Sequence, residues 1–287
     1  MDRRYWMEIS YRRMVMQTTN LKRALIGALF FLPFSTIADQ ANNSGTPESQ
    51  SSELDIRPYQ AEYKVFRGGS EYGKGSRSLL QVEDGLWYLE TSTDVSWLFL
   101  SDRRQEKSWF KVFDDHVVPL QYKQKRSGTG PDYLSFVLFD HRLKKVKEIG
   151  DYDEFEAVYQ SGVLDGASYQ FQMMRDIQAG VKDITYPIIM SGENKEYRFK
   201  LIGEEELETP FGKLATVKLE RIRGNKKRQT YVWLAKEYGY VVARIWQAKG
   251  GSEQADLQIS HFKWLKQAPH PELKTALKVS APPDKTE

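Results

Sequence analysis

The sequence contains no cysteine among its 287 residues. A chain without thiols forms no disulfide bonds, has no thiolate nucleophile and cannot ligate zinc or an iron–sulfur cluster through cysteine. Those classes of enzyme and metalloprotein are therefore excluded. A chain of this length can bury enough apolar surface to fold without covalent cross-links, so we expect its stability to come from a hydrophobic core.

Histidine is scarce as well. The four histidines are His116, His141, His261 and His270, and no two of them have the spacing of paired metal ligands. His116 lies in an Asp-Asp-His turn, where a solvated polar turn explains it better than a metal does. We therefore predict no metal site and no bound cofactor.

The motifs of common catalytic sites are missing. The nearest match to the Gly-x-Ser-x-Gly elbow of serine hydrolases, at 68–72, ends in Tyr72. The Gly-Thr-Gly-Pro loop at 128–131 lacks the Gly-Lys ending of a phosphate-binding loop. We predict no catalytic residues and favour a non-catalytic protein. Acidic clusters at 151–156 and 204–208 leave a glycosidase-type carboxylate pair open, because two carboxylates can meet in space from anywhere in the chain.

No apolar run is long enough to cross a membrane, which takes about 20 residues. The eleven residues 24–34 are apolar, follow Lys22 and Arg23, and are followed by small residues that end at Ala38. This order is typical of a secretory signal peptide, here residues 1–38, with cleavage after Ala38. The alternative is an uncleaved membrane anchor. Initiation at Met14 or Met16 instead of Met1 would give a leader of ordinary length.

Outside the predicted signal peptide, the chain has no large excess of positive or negative charge. The formal charge is +3, but six of the 42 Lys and Arg and only two of the 39 Asp and Glu precede Asp39. The remainder carries 36 positive and 37 negative groups, interspersed along the chain. This balance excludes an electrostatic footprint for nucleic acid. We expect the mature protein to have no transmembrane anchor and, in a Gram-negative source, to be periplasmic.

Alternating apolar and polar residues fill most of the chain. In residues 199–262 four such segments are separated by Gly- and Asn-containing turns at nearly even spacing, which is typical of antiparallel strands joined by hairpins. Similar segments begin near Pro58. The pattern predicts an all-β fold with one or two helices, in which a large curved antiparallel β-meander forms an open or part-closed barrel. We expect one domain over 58–265, after a disordered spacer at 39–57 and before a disordered tail at 266–287.

One segment follows a helical period instead. Its apolar residues recur at steps of three and four, namely Leu164, Ala167, Phe171, Met174 and Ile177. Asp165 can cap the start and Gly180 the end. The spacing predicts an amphipathic helix at about 164–179, packed against the sheet.

Several of these features occur together in a known family. They are the opening Tyr59-x-Ala61-x-Tyr63-x-Val65, the helix start at Leu164–Asp165, the turn at 209–212 and the Tyr-Val-Trp-Leu-Ala strand at 231–235. In this respect the chain resembles the domain of unknown function 3108 family of exported bacterial proteins, over about residues 59–262. Residues 236–242 depart from the acidic turn and Pro expected there. The resemblance implies a β-rich envelope domain and carries over no functional residues.

Aromatic residues are abundant, at 13% of the chain. They can fill the core of a large curved sheet, or they can line a cavity for lipid or another apolar guest, since a sheet of many strands tends to curl. The candidate ligand-binding residues are Trp97, Leu98, Phe99, Trp109, Trp233 and Trp246. The run from Trp97 to Leu100 lies between charged flanks, and we expect it at the cavity mouth or on the inner face of the sheet.

Two functional hypotheses remain from the sequence. The first is a non-catalytic periplasmic binding or carrier protein for a lipid or other apolar envelope ligand. The alternative is an envelope assembly or interaction protein that binds a protein or polysaccharide partner through sheet edges or basic hairpin tips. Those tips are the Lys- and Arg-rich segments at 123–126, 144–147 and 226–228.

Overall fold

The computed structural model describes residues 57–97, 100–150, 154–190, 193–225 and 227–274. The predicted signal peptide, the spacer up to residue 56 and the tail from residue 275 lie outside these ranges. So do Leu98, Phe99 and the side chain of Trp97. Within the described ranges, no helix has both the length and the apolar character needed to cross a membrane.

The described residues form fifteen strands in one sheet. The strands are β1 Tyr59–Arg67, β2 Ser70–Glu83, β3 Leu86–Trp97, β4 Leu100–Phe113, β5 His116–Gly128, β6 Tyr133–Asp140, β7 Lys145–Gly150, β8 Glu154–Ala157, β9 Leu164–Asp165, β10 Asp183–Met190, β11 Glu193–Thr209, β12 Gly212–Ile222, β13 Arg228–Ala235, β14 Val241–Lys249 and β15 Ser252–Trp264. A helix α1, Ser168–Gln178, follows β9, and a short 3-10 helix, Lys236–Tyr238, follows β13.

The sheet has two arms that meet at the middle. From β1 the strands run outward in chain order to β8, and from β15 they run outward in reverse order to β9. Neighbouring strands are antiparallel except for the pair β9 and β10. The central pair is β1 with β15, in which Tyr59 lies opposite Trp264. The sheet is curved and does not close, so the predicted fold class is confirmed.

Hairpin chemistry explains the meander. Gly68 and Gly69 link β1 to β2, and Gly250 and Gly251 link β14 to β15, all with positive φ. Two-residue loops of this kind match the right-handed twist of the flanking strands. The burial pattern of β1 then alternates, with Tyr59 buried and its even-numbered neighbours more exposed, so that one face of the sheet carries the core.

The helix forms inside the predicted segment but begins later. Leu164 and Asp165 pair in parallel with Ile188 and Ile189 of β10 and therefore belong to the sheet. The Asp165 carboxylate accepts hydrogen bonds from the backbone N–H of Ala167 (2.8 Å) and Ser168 (2.7 Å), and so it satisfies two donors at the helix start.

The end of the helix follows the prediction. Gly180, at φ 88°, donates to the carbonyl of Ile177, and Val181 donates to that of Asp176. These two bonds form a Schellman motif.

The curved sheet wraps around the helix. Phe171 packs on Phe110 of β4, with ring centroids 5.2 Å apart, and the Tyr59 hydroxyl lies 4.0 Å from Met174 Sδ. Positions that a surface helix would leave in water are also buried, among them Gln172, whose Oε1 accepts from the backbone N–H of Val117 at 2.7 Å. The helix thus fills part of the concave side of the sheet, and its polar residues bond to strands.

The predicted disordered tail is corrected for residues 266–274. His270 donates its backbone N–H to the carbonyl of Gln81 at 2.9 Å, and the Trp109 indole N–H donates to the carbonyl of Leu273 at 3.2 Å. The Leu273 side chain packs on an apolar cluster that includes Trp109 and Tyr88. The cluster lies apart from the main core, and its apolar surface gives the segment a place to pack.

Candidate ligand pocket

A cavity of about 960 Å³ lies on the concave side of the sheet, beside the helix. Its walls come from β1 to β4, β14 and β15, with Gln170 of α1 at one end. The exposed residues Arg67, Gly68 and Ser70 form part of the opposite end. The pocket therefore opens where the β1–β2 hairpin turns and closes toward the helix.

One wall of the pocket is apolar because strand register aligns inward positions. Leu257 of β15 lies opposite Val65 of β1 on one side and Ile245 of β14 on the other. On the far side of β1, Val65 lies opposite Gly73, which in turn lies opposite Val95 of β3. Gly73 adds no side chain to this row, and the β3 backbone packs closely against it, because a Cβ at this position would lie 2.2 Å from the carbonyl oxygen of Asp94.

Arg77 lies at the closed end of the pocket. It occupies an inward position of β2, opposite Ala61 of β1 and Thr91 of β3. Its side chain is only 4% exposed, and Nη2 donates to Oε1 of Gln170. The small side chain of Ala61 leaves room for the long guanidinium group to extend toward the helix.

The groups that act most strongly on Arg77 are tyrosine hydroxyls. Tyr63, Tyr59 and Tyr169 are its electrostatic neighbours. Burial raises the pKa of the Tyr63 hydroxyl, against the Arg77 charge, which lowers it, and the hydroxyl donates to the carbonyl of Val242 at 2.9 Å. Nε and Nη1 of Arg77 are buried without a hydrogen-bond partner among the described residues. The protein therefore satisfies this guanidinium only in part.

The carboxylates of the pocket have partners. Asp102 lies 2.9 Å from Nη2 of Arg104 and 3.1 Å from Nε of Arg126. Glu106 accepts from the Tyr122 hydroxyl at 2.9 Å and from the Thr91 hydroxyl. Burial raises the pKa of Glu106, while the Tyr122 hydrogen bond lowers it. No group of three His, Asp or Glu in the described ranges is placed to hold a metal ion.

The three predicted tryptophans with described side chains lie away from this pocket. Trp109 is 2% exposed and packs on Tyr88, with ring centroids 4.9 Å apart, in the cluster under Leu273. Trp233 donates its indole N–H to Glu205 Oε1 at 2.5 Å. Trp109, Trp233 and Trp246 therefore do not form the walls of the cavity, whose aromatic lining comes from Tyr63, Phe66 and Tyr72.

The side chain of Trp246 lies on the face of β14 opposite to the cavity, because side chains alternate between the two faces of a strand. Its neighbours Ile245 and Gln247 line the pocket, so the Trp246 side chain points to the opposite face of β14. There it stacks on Tyr231 at 5.8 Å, and Trp233 contacts the same ring at 6.1 Å. The structure thus brings Trp233 and Trp246 together through Tyr231, on the face away from the cavity.

Sequence reasoning missed Arg77, Glu106 and Gln170. For Arg77 a signal existed, because it has the same parity as the buried Leu79 on β2, and a cation at a core-facing position of a strand is unusual. For Gln170 and Glu106 no comparable signal exists. Their meeting at one cavity depends on how far the sheet curves around the helix.

Comparisons with known proteins agree with the architecture. The family model described as "Protein of unknown function (DUF3108)" matches residues 62–258. No curated protein matches the chain. A beta-barrel-like protein of domain of unknown function DUF1849 from Brucella abortus is similar in structure, with a TM-score of 0.50 and 8% identity over 73% of this chain and 98% of that one. A putative lipoprotein from Parabacteroides distasonis is a weaker match, with a TM-score of 0.29 and 10% identity over 72% and 96%.

Proposed function

The chain belongs to the DUF3108 family of proteins of unknown function, and from this premise we propose that it is a non-catalytic binding or carrier protein that holds a lipid or other apolar ligand of the bacterial envelope. The observation that carries the proposal is the open cavity of about 960 Å³ on the concave side of the sheet. Ligand sites commonly measure about 300 to 1,000 Å³ and combine apolar walls with a few placed polar groups. This cavity has both properties.

The apolar row across the pocket supports a ligand. Val65, Leu257 and Ile245 lie side by side on three neighbouring strands and form one wall of the open space. Burying apolar surface is worth about 25 cal/mol for each Å² removed from water, so an apolar guest would be stabilised along this wall. The helix fills only the other part of the concave face, and the space for a guest lies beside it.

The alternative of a partner bound through sheet edges is less well supported. The two edge strands are short, since β8 has four residues and β9 has two. Short edge strands are a common means of avoiding edge-to-edge pairing. The basic segment at 123–126 lies inside β5, where it pairs with both β4 and β6, so it is not at the hairpin tip that the sequence predicted. The segment at 144–147 begins in the turn before β7. We therefore favour the carrier.

The location we propose is the periplasm, after removal of residues 1–38. The charged, apolar and small-residue sequence of the leader supports it. Mass spectrometry of the intact protein purified from a periplasmic fraction would give the mass of a chain that begins at Asp39. A chain that retains the leader in the membrane fraction would contradict this assignment.

The carrier proposal is tested by filling the pocket. Val95 lines the cavity, whereas its neighbour Ser96 is exposed and absent from the lining. Val95→Trp should weaken binding of a neutral fluorescent probe, N-phenyl-1-naphthylamine, by about tenfold or more, because steric overlap in a packed site costs more than ~1.4 kcal/mol.

Ser96→Trp is the matched control on the other face of β3 and should bind the probe as the wild type does. Lipid extracted from the purified protein and identified by mass spectrometry should fall in parallel in Val95→Trp. A wild-type protein that binds no probe and carries no lipid would rule out the carrier function.

A further inference from the structure

The closed end of the pocket holds a positive charge that the protein does not neutralise. Arg77 is 4% exposed, and of its three nitrogens only Nη2 has a hydrogen-bond partner, Gln170, in the described structure. The hydroxyls of Tyr63, Tyr59 and Tyr169 interact with its charge, and the Tyr59 hydroxyl is also close enough to form a hydrogen bond with it. A buried cation without a counter-ion is costly, and proteins usually pair such a charge.

The other charges of the pocket do not supply this counter-ion. Five charged side chains line it, namely Arg67, Arg77, Arg104, Asp102 and Glu106. Arg104 and Asp102 pair with each other at 2.9 Å. Glu106 is held by hydroxyl groups, and no carboxylate of the described ranges forms an ion pair with Arg77. The unpaired charge of Arg77 is therefore the polar feature that a ligand would meet at the closed end.

The apolar wall lies on the way from the mouth to Arg77. Tyr63, Val65 and Arg67 lie at every second position of β1. Arg67 is at the exposed end of the strand, and Tyr63, next to Arg77, is furthest inside. A ligand that enters past Arg67 therefore passes Val65 and its neighbour Leu257 before it reaches the guanidinium group. An elongated molecule with one charged end matches this order of groups.

We propose that the pocket takes an anionic amphiphile, with a carboxylate or phosphate head group on Arg77 and an alkyl chain along Val65, Leu257 and Ile245. This inference rests on the proposed carrier function and adds the charge of the ligand and its orientation. Arginine suits the role because its fork of N–H donors pairs with planar carboxylate and with phosphate oxygens. Nε and Nη1 have no hydrogen-bond partner, but both atoms are buried, so a head group reaches them only after the Arg77 side chain rotates toward the pocket.

The test compares ligands that differ only in the head group. Decanoate, decyl phosphate and decanol are titrated against N-phenyl-1-naphthylamine bound to the mature wild-type protein. Hydrogen bonds to a charged group typically raise affinity about 10- to 100-fold. At least one of the two anions should therefore displace the probe at a concentration about 10- to 100-fold lower than decanol does. Preference for decanoate or for decyl phosphate then identifies the head group.

Variants of the arginine assign the preference to this residue. Arg77→Gln should lose the preference for the anion and keep its affinity for decanol, and Arg77→Lys should keep part of the preference because it keeps the charge. Arg103→Gln, at an exposed position of β4 outside the pocket lining, is the matched control and should change the preference by no more than about twofold, as expected for a solvated charge. Circular dichroism checks that each variant is folded.

The outcomes separate the two proposals. Equal displacement by anions and decanol in the wild type would overturn the anionic ligand and leave the carrier function standing. Retention of the full preference in Arg77→Gln would overturn the role of Arg77. Failure of all three ligands and of the probe to bind would overturn the carrier function itself. Because the wild-type comparison needs no variant, the inference stays testable if Arg77→Gln does not fold.

Discussion

At the scale of single residues, two acids lie beside the ligand pocket, the half-buried Glu106 and the buried Asp165. Glu106 lines the cavity, and Asp165 accepts from the Ser108 hydroxyl at 2.6 Å. Burial raises the pKa of both carboxyl groups, and the charge of Asp165 raises that of Glu106 further. An acid whose pKa is raised on folding binds more protons in the folded state. Its contribution to stability is therefore present at low pH and is lost as pH rises through the raised pKa.

This sign gives a prediction for Glu106→Gln. The amide keeps an acceptor for the Tyr122 hydroxyl and removes the charge. We expect the variant to gain stability relative to the wild type as pH rises from 4 to 8, measured as the difference in urea midpoint between the two proteins. Glu71→Gln, which loses a surface ion pair with Lys64, serves as the control and should stay within about 1 kcal/mol at each pH.

If instead the Glu106→Gln variant becomes less stable relative to the wild type as pH rises, the folded state stabilises the charged form of Glu106. The comparison between variant and wild type cancels the contributions of all other titrating groups. It therefore isolates the carboxyl at position 106, together with its coupling to Asp165.

Single residues also show where sequence reasoning reached its limit. Alternation correctly indicated that Trp233 and Trp246 lie on strands, but it could not say which face of the sheet would become concave. That choice depends on the packing of α1, and it placed Ile245 inside and Trp246 outside. Arg77 carried a readable signal through its parity with Leu79, whereas the burial of Gln170 did not.

At the scale of elements, the position at which the helix starts depends both on local sequence and on strand pairing with a distant segment. The helical spacing correctly selected Phe171, Met174 and Ile177 for the core, and Gly180 ends the helix as expected. The start moved to Ser168 because Leu164 and Asp165 pair with β10, about 25 residues later in the chain, and such pairing leaves no local trace in sequence.

Asp165 joins the two elements, and its removal should affect both. Asp165→Ala leaves the backbone N–H groups of Ala167 and Ser168 without their acceptor and should cost about 2 kcal/mol or more in unfolding free energy. Asp165→Asn keeps one oxygen acceptor and should cost less. Urea unfolding of both variants gives the comparison, and equal losses would show that the hydrogen bonds at the helix start do not carry the effect.

The amino-acid composition of the segment after β15 did not predict that it would be ordered. Its Pro- and Lys-rich character predicted disorder, yet Leu273 packs on the cluster that contains Trp109. Leu273→Asp should cost about 1 to 2 kcal/mol, because it places a charge against apolar surface, and it should shift tryptophan fluorescence to longer wavelength. Glu272→Ala, at an exposed position next to it, should leave both measurements unchanged.

At the scale of the whole molecule, the fold class was predictable and the cavity was not. Hairpin turns and alternation are local, and they repeat along the chain, so the open curved sheet follows from them. The cavity instead depends on how fifteen strands accumulate twist and how far one helix fills the space between the arms. Neither quantity can be read from any one stretch of residues.

The pairing of β1 with β15 has a consequence for the order in which the protein can be completed. Among the described strands, β1 is synthesised first and has β2 as an early partner on one side, while its other side pairs with β15, which is synthesised last. Until β15 is available, β1 in one arm and β14 in the other each lack one of their neighbouring strands. A ribosome that still holds β15 therefore delays the pairing of β1 with β15, and with it the formation of the pocket wall made by Val65 and Leu257.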